Sequence, residues 1–272
     1  MENIVDMKEE SKILDHQETK KYKRGKIFER IATIFFIFIL LIGGVLIWHN
    51  SYYTVFFVNG QSMYPTLNET AIRSDGSLIG PLGGSSVDGD RVQFGIMDTS
   101  KKAINKIERG DIIITYYKDD YKDVDNLILN KGAATKIKRV VGLPGEKVAI
   151  NPNGYLLIND VFTHLKGNPF YSSTPEGNRA KELGVLGEDE YFVLGDNRDN
   201  SMDSTSARVG AIKKEFILGV AVATEGTCKI STVNGVSDCI KRKYKIFISS
   251  VRKEFEQERK FIKQEIENLK HE

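Results

Sequence analysis

The sequence is short of cysteine, proline and net charge, and each shortage excludes a class of protein. It has two Cys among 272 residues and no Cys-x-x-Cys or His-x-x-x-His pair, which argues against a structural zinc site. Lys and Arg number 39 and Asp and Glu 37, so no global field selects nucleic acid or another polyanion. With 6 Pro and 24 Gly, the composition favours many turns between short strands over a helical bundle.

One long uncharged run is present, IATIFFIFILLIGGVLIW, from Ile31 to Trp48. Its 18 residues approach the roughly 20 that a membrane-spanning helix needs, and Arg30 and His49 flank it at the interfaces. A cleaved signal peptide is the alternative, but its apolar stretch is usually shorter and a cleavage site with small residues follows it. Here the aromatic-rich IWHNSYYTVFF follows instead. We therefore expect a transmembrane helix over residues 29–50.

Positive charges lie on only one flank of this run. Six precede it: Lys20, Lys21, Lys23, Arg24, Lys26 and Arg30. After it, no Lys or Arg occurs until Arg73. By the positive-inside rule, we expect residues 1–28 to form a cytoplasmic tail and the chain after Trp48 to lie outside the cell membrane. The expected topology is therefore single-pass.

The region after the anchor, residues 51–242, is expected to be one extracytoplasmic domain of mainly antiparallel β structure, sheet- or barrel-like. Short apolar runs such as TVFFV, DIIITYY, LILN, KRVVGL, GVAVAT and YFVLG predict strands, and GLPGE and LGDN predict turns. Turn signals on both sides of YLLI predict a meander. Residues 73–90, rich in Gly, Ser and Asp, are expected to form a loop, and residues 96–109 to contain a short helix.

The last segment, residues 243–272, is charged throughout. Apolar residues recur close to alternating three- and four-residue intervals, which predicts an amphipathic helix. Its polar face mixes both signs of charge and is not dominantly basic. This favours packing on its own domain or on another protein over binding at a membrane surface.

Two segments of the β region carry residues suited to nucleophilic catalysis. VNGQSMYPTL places Ser62 where a strand gives way to a Pro-containing turn. KRVVGLPGEKVAI begins with Lys138, which leads into a run of Val, and burial there would lower the pKa of its amine. A neutral amine can accept a proton from a Ser hydroxyl. Taken singly, Ser62 is more simply interpreted as a loop serine and Lys138 as a surface lysine.

A third segment, GDNRDNSMDS from Gly195 to Ser204, holds three Asp, two Asn, two Ser and one Arg in ten residues. Such density is typical of a solvated or ion-binding loop. Oxygen donors at alternating positions would suit calcium. The segment nevertheless lacks the Gly at position six and the terminal Glu of an EF-hand loop, and it follows a strand.

Taken together and in this order, the segments resemble the bacterial type I signal peptidases, membrane proteases that remove signal peptides from exported proteins. The resemblance covers VNGQSMYPTL, ERGDIIITYY, KRVVGLPGEKV and YFVLGDNRDNSMDS, and spans roughly residues 30–225. It implies Ser62 as the nucleophile and Lys138 as its general base, without a metal or cofactor. It also implies that Ser201 hydrogen-bonds the lysine amine and orients it. A Lys base and not a His indicates the bacterial branch of the family.

The resemblance assigns further residues to support and to substrate binding. Four charged residues match supporting positions: Asp196, Arg198, Asp203 and Arg139. The family's second oxyanion donor falls at Gly60, which has no hydroxyl, so either a backbone donor or one missing donor is implied. A substrate strand is expected beside Gly60 and beside Thr135 to Ile137, by edge addition. The implied substrates are exported preproteins with small side chains before the cut.

One departure from the family pattern follows Ser204. Three residues, Thr205 to Ala207, separate it from Arg208, whereas the family often has Arg directly after the Asp-Ser pair. Either Arg208 turns back to pair with Asp203 or that ion pair is absent.

The two cysteines bracket KISTVNGVSD, in which Asn234-Gly235 is a hairpin turn signal. Counting across that turn places Cys239 opposite Ile230, so that the two Cys are offset by one same-face step. An extracytoplasmic location permits a disulfide, but the sequence leaves its formation open.

Three other functions can be compared with the features of the sequence. A self-cleaving Ser/Lys repressor would lack the anchor and carry a DNA-binding domain. A non-enzymatic assembly chaperone would have lost the Ser or the Lys, and both are present. A dedicated processing peptidase with few substrates stays open beside a general signal peptidase.

Overall fold

The structure is a computed structural model that describes residues 25–47, 52–117, 135–151, 156–162, 181–233 and 236–244, with Lys260, Gln264, Glu267 and Asn268. Contacts within the chain divide it into two units, Met1–Ser51 and Tyr52–Glu272.

The described part of the first unit is a single helix, α1, Gly25–Ile47. Its 23 residues make it about 35 Å long, enough to cross a hydrocarbon core of about 30 Å. Large apolar side chains are exposed all around it, for example Phe36 at 61% and Leu41 at 64%. By length and composition α1 is suited to a bilayer.

Twelve strands and one short helix are described in the second unit. In chain order they are β1 Tyr53–Phe57, β2 Arg91–Asp98, α2 Lys101–Ile104, β3 Ile112–Thr115, β4 Lys136–Gly142, β5 Lys147–Ile150, β6 Leu156–Ile158, β7 Val161–Phe162, β8 Lys181–Val185, β9 Glu190–Leu194, β10 Ile212–Lys213, β11 Ile217–Val233 and β12 Val236–Tyr244. The main sheet pairs them in the order β1-β2-β11-β3-β4-β9-β10, with β12 beside β11. All its described pairings are antiparallel.

The main sheet is buried at its centre because its middle strands are rich in β-branched residues. All four residues of β3, Ile-Ile-Ile-Thr, are buried, and so are the last five of β4. A smaller sheet, in the order β7-β6-β5-β8, packs against one end of the main sheet. The packing is seen in one hydrophobic cluster that joins Val148 and Ile158 of the small sheet to Phe192 of β9.

The predicted mainly antiparallel β fold is confirmed, with differences in detail. The meander around YLLI is present as β5-β6-β7, and α2 lies inside the expected helical stretch, although residues 96–98 belong to β2. Residues 73–90 form an irregular loop, as expected. β12 runs to Tyr244, two residues past the expected boundary of the domain. The predicted LILN strand lies outside the described residues, and so does most of the predicted C-terminal helix, of which four residues are described as helical.

Candidate active site

The segment that carries Ser62 leaves β1 and enters a tight turn anchored by two apolar side chains. Met63 and Leu67 are 1% and 2% exposed and pack in the same cluster as Phe56 of β1. Burying each contributes roughly 1.5–3 kcal/mol to stability. A hydrogen bond from the Leu67 N–H to the Met63 carbonyl, at 2.8 Å, closes the turn. Ser62, between buried neighbours, stays partly exposed.

Asn68 fixes the backbone ahead of the nucleophile. Its side-chain amide donates to the carbonyls of Val58, at 2.6 Å, and Gly60, at 3.0 Å. Its own N–H and Oδ1 bond Gln93 of β2, at 2.6 and 2.8 Å. Asn68 is fully buried and has a φ of 64°, a left-handed conformation that Asn tolerates better than most residues. Sequence reasoning missed this residue, for which the only signal was an Asn directly after the Pro turn.

Lys138 of β4 faces the same point. Its Nζ donates to the Ser62 Oγ at 2.8 Å, although the two residues are 76 positions apart. The side chain is buried, with 3% of the residue exposed. Burial lowers its pKa to about 8, and the repulsion of Lys136 and Arg198 adds to this, while the Asp203 and Asp196 carboxylates oppose it. The structure thus brings the predicted pair together in surroundings that favour a neutral amine.

Arg139, the next residue of β4, forms a buried two-bond ion pair with Asp196. Its Nε and Nη2 donate to the two carboxylate oxygens at 2.8 and 2.7 Å, and its Nη1 donates to the Gly110 carbonyl at 2.9 Å. Both side chains are 1% exposed. Because a buried charge without a partner is costly, this pairing fixes the loop after β9 to the strand that carries Lys138.

Asp203 pairs with Arg198, which resolves the question left open by the sequence. Arg198 Nη1 donates to Asp203 Oδ2 at 2.7 Å, whereas Arg208 is exposed. The same carboxylate accepts from the Gly195 N–H at 3.0 Å and from the Thr205 hydroxyl at 2.8 Å. Burial alone would raise the pKa of Asp203, but Arg198 and these donors lower it below its ordinary value. The guanidinium that pairs with Asp203 is thus that of Arg198, five residues earlier in the chain.

Ser201 is close to the pair but does not make the predicted hydrogen bond to Lys138. Its Oγ is buried and has no hydrogen-bond partner among the described residues. Ser201 also lowers the pKa of Asp203, as the weakest of the influences that lower it. A methyl group placed on Gly195 would lie 2.2 Å from this Oγ and 2.5 Å from the Ser62 carbonyl oxygen. Ser201 therefore packs on the bare Gly195 backbone, and the lysine amine bonds Ser62 instead.

Asn197 is a second residue that sequence reasoning missed. Its N–H donates to the Ser62 carbonyl at 3.0 Å, and its side-chain amide donates to the Gln61 carbonyl at 2.9 Å. The loop after β9 is therefore bonded directly to the backbone of the candidate nucleophile. No sequence signal marks this role, since Asn197 is one of several polar residues in a polar loop.

The residues expected to bind substrate lie around Ser62. Gly60 has a φ of 136°, where side-chain-bearing residues are strained, so a Ser at this position would be disfavoured although the space is open. Thr135 and Ile137 are half-buried at the start of β4. The described pairing of β4 with β9 begins at Arg139, one position after Lys138.

No group of three or more His, Cys, Asp or Glu residues suited to a metal ion occurs in the described part of the chain. In the Asp-rich loop, the carboxylates of Asp196 and Asp203 bond the guanidinium groups of Arg139 and Arg198. The calcium interpretation of this loop thus finds no support in its geometry.

The two cysteines form a disulfide between β11 and β12. Their Cα atoms are 5.6 Å apart, and the strand register pairs Cys239 with Ile230, as counting across the turn predicted. Both cysteines are buried in a cluster with Phe94.

A Ser hydroxyl bonded to a buried Lys amine, on an antiparallel β scaffold, is the arrangement of a serine hydrolase with lysine in place of histidine. The family model for signal peptidase, peptidase S26, matches residues 27–224, which is most of the chain. The chain therefore belongs to the signal peptidase S26 family and is a serine protease of the signal peptidase I type. The resemblance drawn from the motifs is confirmed.

Individual relatives agree with the family assignment. A signal peptidase I from Bacillus amyloliquefaciens is 31% identical over 179 residues, which cover 61% of this chain and 70% of the relative. Signal peptidase I S from Bacillus subtilis (strain 168) is 28% identical over 187 residues, 65% of this chain and 78% of the relative. A crystal structure of a signal peptidase I from Enterococcus faecalis V583 shares 28% identity and covers 42% of this chain and 96% of its own, with a TM-score of 0.30. This superposition is too weak to carry an argument about the fold.

Proposed function

We propose that this protein is a membrane-bound endopeptidase that removes signal peptides from exported preproteins, with Ser62 as nucleophile and Lys138 as general base. The observation that carries the proposal is the 2.8 Å contact between Lys138 Nζ and Ser62 Oγ, made by a buried lysine whose pKa is lowered to about 8. Family membership supports the substrate class.

In the proposed mechanism, neutral Lys138 takes the proton of the Ser62 hydroxyl as Oγ forms a bond to the carbonyl carbon of the scissile peptide. The resulting lysine ammonium returns that proton to the leaving amine when the C–N bond breaks. Water then attacks the acyl-enzyme, again with Lys138 as base, and Ser62 is regenerated. One lysine thus serves as base and acid in turn, which a pKa near the working pH permits.

The developing oxyanion needs donors that are fixed before the reaction. The Ser62 N–H donates to no described residue and is the first candidate. A second donor would come from the backbone around Gly60, because the φ of 136° leaves no place for a hydroxyl-bearing residue there. Asn68 and Asn197 hold the peptide groups on either side, so these donors need little reorganisation.

The substrate would add as an extended strand to the start of β4, beside Thr135 and Ile137. Supporting this, β4 pairs with β9 only from Arg139 onwards among the described strands. Backbone hydrogen bonds would then supply affinity, and side-chain pockets would supply specificity. We expect small residues before the cut.

We further propose a membrane anchor over residues 29–50, most of which is formed by α1, Gly25–Ile47. Residues 1–28 would face the cytoplasm and the peptidase domain, 51–242, the outside. The six positive charges before the anchor support this orientation. Contacts with membrane lipid follow from the anchor. Residues 243–272 would form a charged helix that packs on the domain or on another protein.

The test is cleavage of a preprotein by the full chain in detergent micelles. Replacing the nucleophile (Ser62→Ala) or the base (Lys138→Ala) should lower kcat/KM by a factor on the order of 10⁴–10⁶. Ser231→Ala on β11 and Lys213→Ala on β10 are matched controls that should cleave normally. Undiminished cleavage by either site variant would show that the Ser/Lys assignment is wrong.

A further inference from the structure

The loop of residues 73–90 lies against the backbone that precedes Ser62, yet the proposed mechanism gives it no task. The Ser86 N–H donates to Asn59 Oδ1 at 2.8 Å. The Asn197 side chain donates to the Pro81 carbonyl at 2.7 Å and also to the Gln61 carbonyl. A single amide nitrogen therefore bridges the loop and the residue next to the nucleophile.

A second asparagine strengthens this attachment. The side-chain amide of Asn200 donates to the carbonyls of Pro81, at 3.1 Å, and Gly83, at 3.2 Å. Both asparagines belong to the loop that also carries Ser201 and Asp203. The Pro81–Gly83 turn is thus bonded to the loop after β9, which also supports the candidate active site.

The rest of the loop is also built to keep its shape. Asp90, with none of its surface exposed, accepts hydrogen bonds from the backbone N–H groups of Ser74, at 3.1 Å, and Val87, at 3.0 Å. Ile79 is buried, at 7% exposure, and anchors the turn from the inside. A hydrogen bond from Thr232 of β11 to Asp88 ties down the far end. These contacts make the loop a preformed element.

On this fixed turn, Leu82 is 85% exposed, more than any other large apolar side chain among the described residues of the second unit. Covering this side chain with an apolar group of another molecule would be favourable. The Asn197 amide nitrogen bonds the carbonyl oxygens of both Gln61 and Pro81, so these oxygens are less than about 6 Å apart, the length of about two residues of an extended chain. The placement favours substrate over any other partner.

Two buried polar side chains at this junction give independent support. Gln61 and Ser86 are 2% and 6% exposed, and their side-chain polar atoms have no hydrogen-bond partner within the described residues. Buried polar groups of this kind are few in native structures, and each calls for an explanation. Here Gln61 directly precedes the nucleophile, and Ser86 lies on the loop of residues 73–90.

We propose that the Pro81–Gly83 turn forms one wall of the substrate cleft and that Leu82 is a specificity-determining residue that contacts an apolar side chain near the scissile bond. This inference rests on the proposed function and adds to it a selection that narrows the set of substrates.

The test measures cleavage preferences of the full chain, in detergent micelles and again in lipid vesicles, with the wild type, Leu82→Ala and Leu82→Asp. The substrates are one preprotein and variants of it that carry Ala, Leu, Asp or Lys at each of the three positions on either side of the cut. At one position the wild type should prefer Leu. Both variants should lose that preference by about tenfold, mainly through KM, and Leu82→Asp should gain a preference for Lys. The control Val185→Ala, at an apolar position on β8 that is 68% exposed, should retain the wild-type profile.

Three results would overturn the inference while leaving the proposed function intact: unchanged profiles in both variants, an equal loss on every substrate together with a lower Tm, or an effect seen only with enzyme in lipid vesicles. The last would indicate a lipid-facing turn. A wild type that cleaves no preprotein, and does no better than Ser62→Ala, would instead remove the proposed function and this inference with it.

Discussion

The pKa of Lys138 leads to a definite pH dependence. Because only the neutral amine can accept the Ser62 proton, kcat/KM should rise with pH and level off above a pKa of about 8. At pH 7 about one tenth of the enzyme would be in the active form, and at pH 6 about one hundredth. The assay is initial-rate cleavage of a preprotein at concentrations well below KM, from pH 5.5 to 10 in detergent.

Neighbouring charges offer a way to move this midpoint without touching the pair. Lys136 repels the Lys138 ammonium and lowers its pKa, so Lys136→Gln should shift the midpoint to higher pH. Asp203 attracts the ammonium, so Asp203→Asn should shift the midpoint to lower pH. Opposite shifts from the two variants are difficult to explain if another group titrates.

Two outcomes would contradict the assignment of the base. A profile already flat between pH 5.5 and 10 would mean that no group with a pKa near 8 is required. A midpoint that follows neither Lys136→Gln nor Asp203→Asn would mean that the titrating group lies elsewhere. As a control, Lys213→Ala, at an exposed position on β10, should leave the midpoint in place.

Three further predictions concern stability and packing. The pKa of Lys138 is about 8 in the folded protein against 10.5 in the unfolded chain, so Lys138→Met should raise the free energy of unfolding by about 3 kcal/mol at pH 7. In denaturant titrations this gain should fade as the pH rises from 8 past 10.5. An equal gain at all pH values would contradict the prediction. Gly195→Ala should cut kcat/KM about a hundredfold, because its Cβ would lie 2.2 Å from the Ser201 Oγ; normal kinetics would show that this packing is unimportant. Replacing Cys228 and Cys239 by Ala opens a loop with a sequence separation of 11 and should lower the free energy of unfolding by about 3 kcal/mol. If a reductant left the unfolding free energy of the wild type unchanged, that result would argue against the disulfide.

The catalytic residues of the site could be predicted from the sequence better than the residues that hold them in place. Ser62 and Lys138 could be paired in advance because each lies in a distinctive motif, and the motif order matched one family. The partner of Asp203 could not be predicted. The sequence left open whether Arg208 pairs with it or no ion pair forms, and the pairing with Arg198 depends on how a short loop turns. The spacing of residues along the chain does not determine which side chain pairs with this carboxylate.

Residues that act through backbone contacts were the ones missed. Asn68 and Asn197 bind carbonyl and N–H groups, and every residue offers such groups, so no pattern of side chains marks the partners. The bound geometry also depends on a φ of 64° at Asn68, which sequence does not reveal. These residues emerge only when the turn and the sheet are seen together.

Strand lengths were underestimated for a related reason. The sequence pattern ends a strand at GVAVAT, before the Glu225-Gly226 pair, yet β11 continues to Val233. The register against β2 shifts between Thr224 and Gly226, so the glycine forms an irregularity within the strand. A glycine in a strand often marks such a bulge, and from sequence alone it looks the same as a turn.

The ion pairs around Lys138 explain how a base can be buried near carboxylates without becoming a permanent ammonium. An unpaired Asp beside Lys138 would attract its proton and raise its pKa toward the ordinary value. Asp196 is bound by Arg139 and Asp203 by Arg198, so each carboxylate reaches the lysine together with a compensating cation. Burial is the largest cause of the lowered pKa of Lys138, and Lys136 and Arg198 act in the same direction against the two carboxylates. The two arginines thus allow ion pairs to fix the loop after β9. At the same time the pKa of the Lys138 amine stays low enough for it to exchange a proton with Ser62.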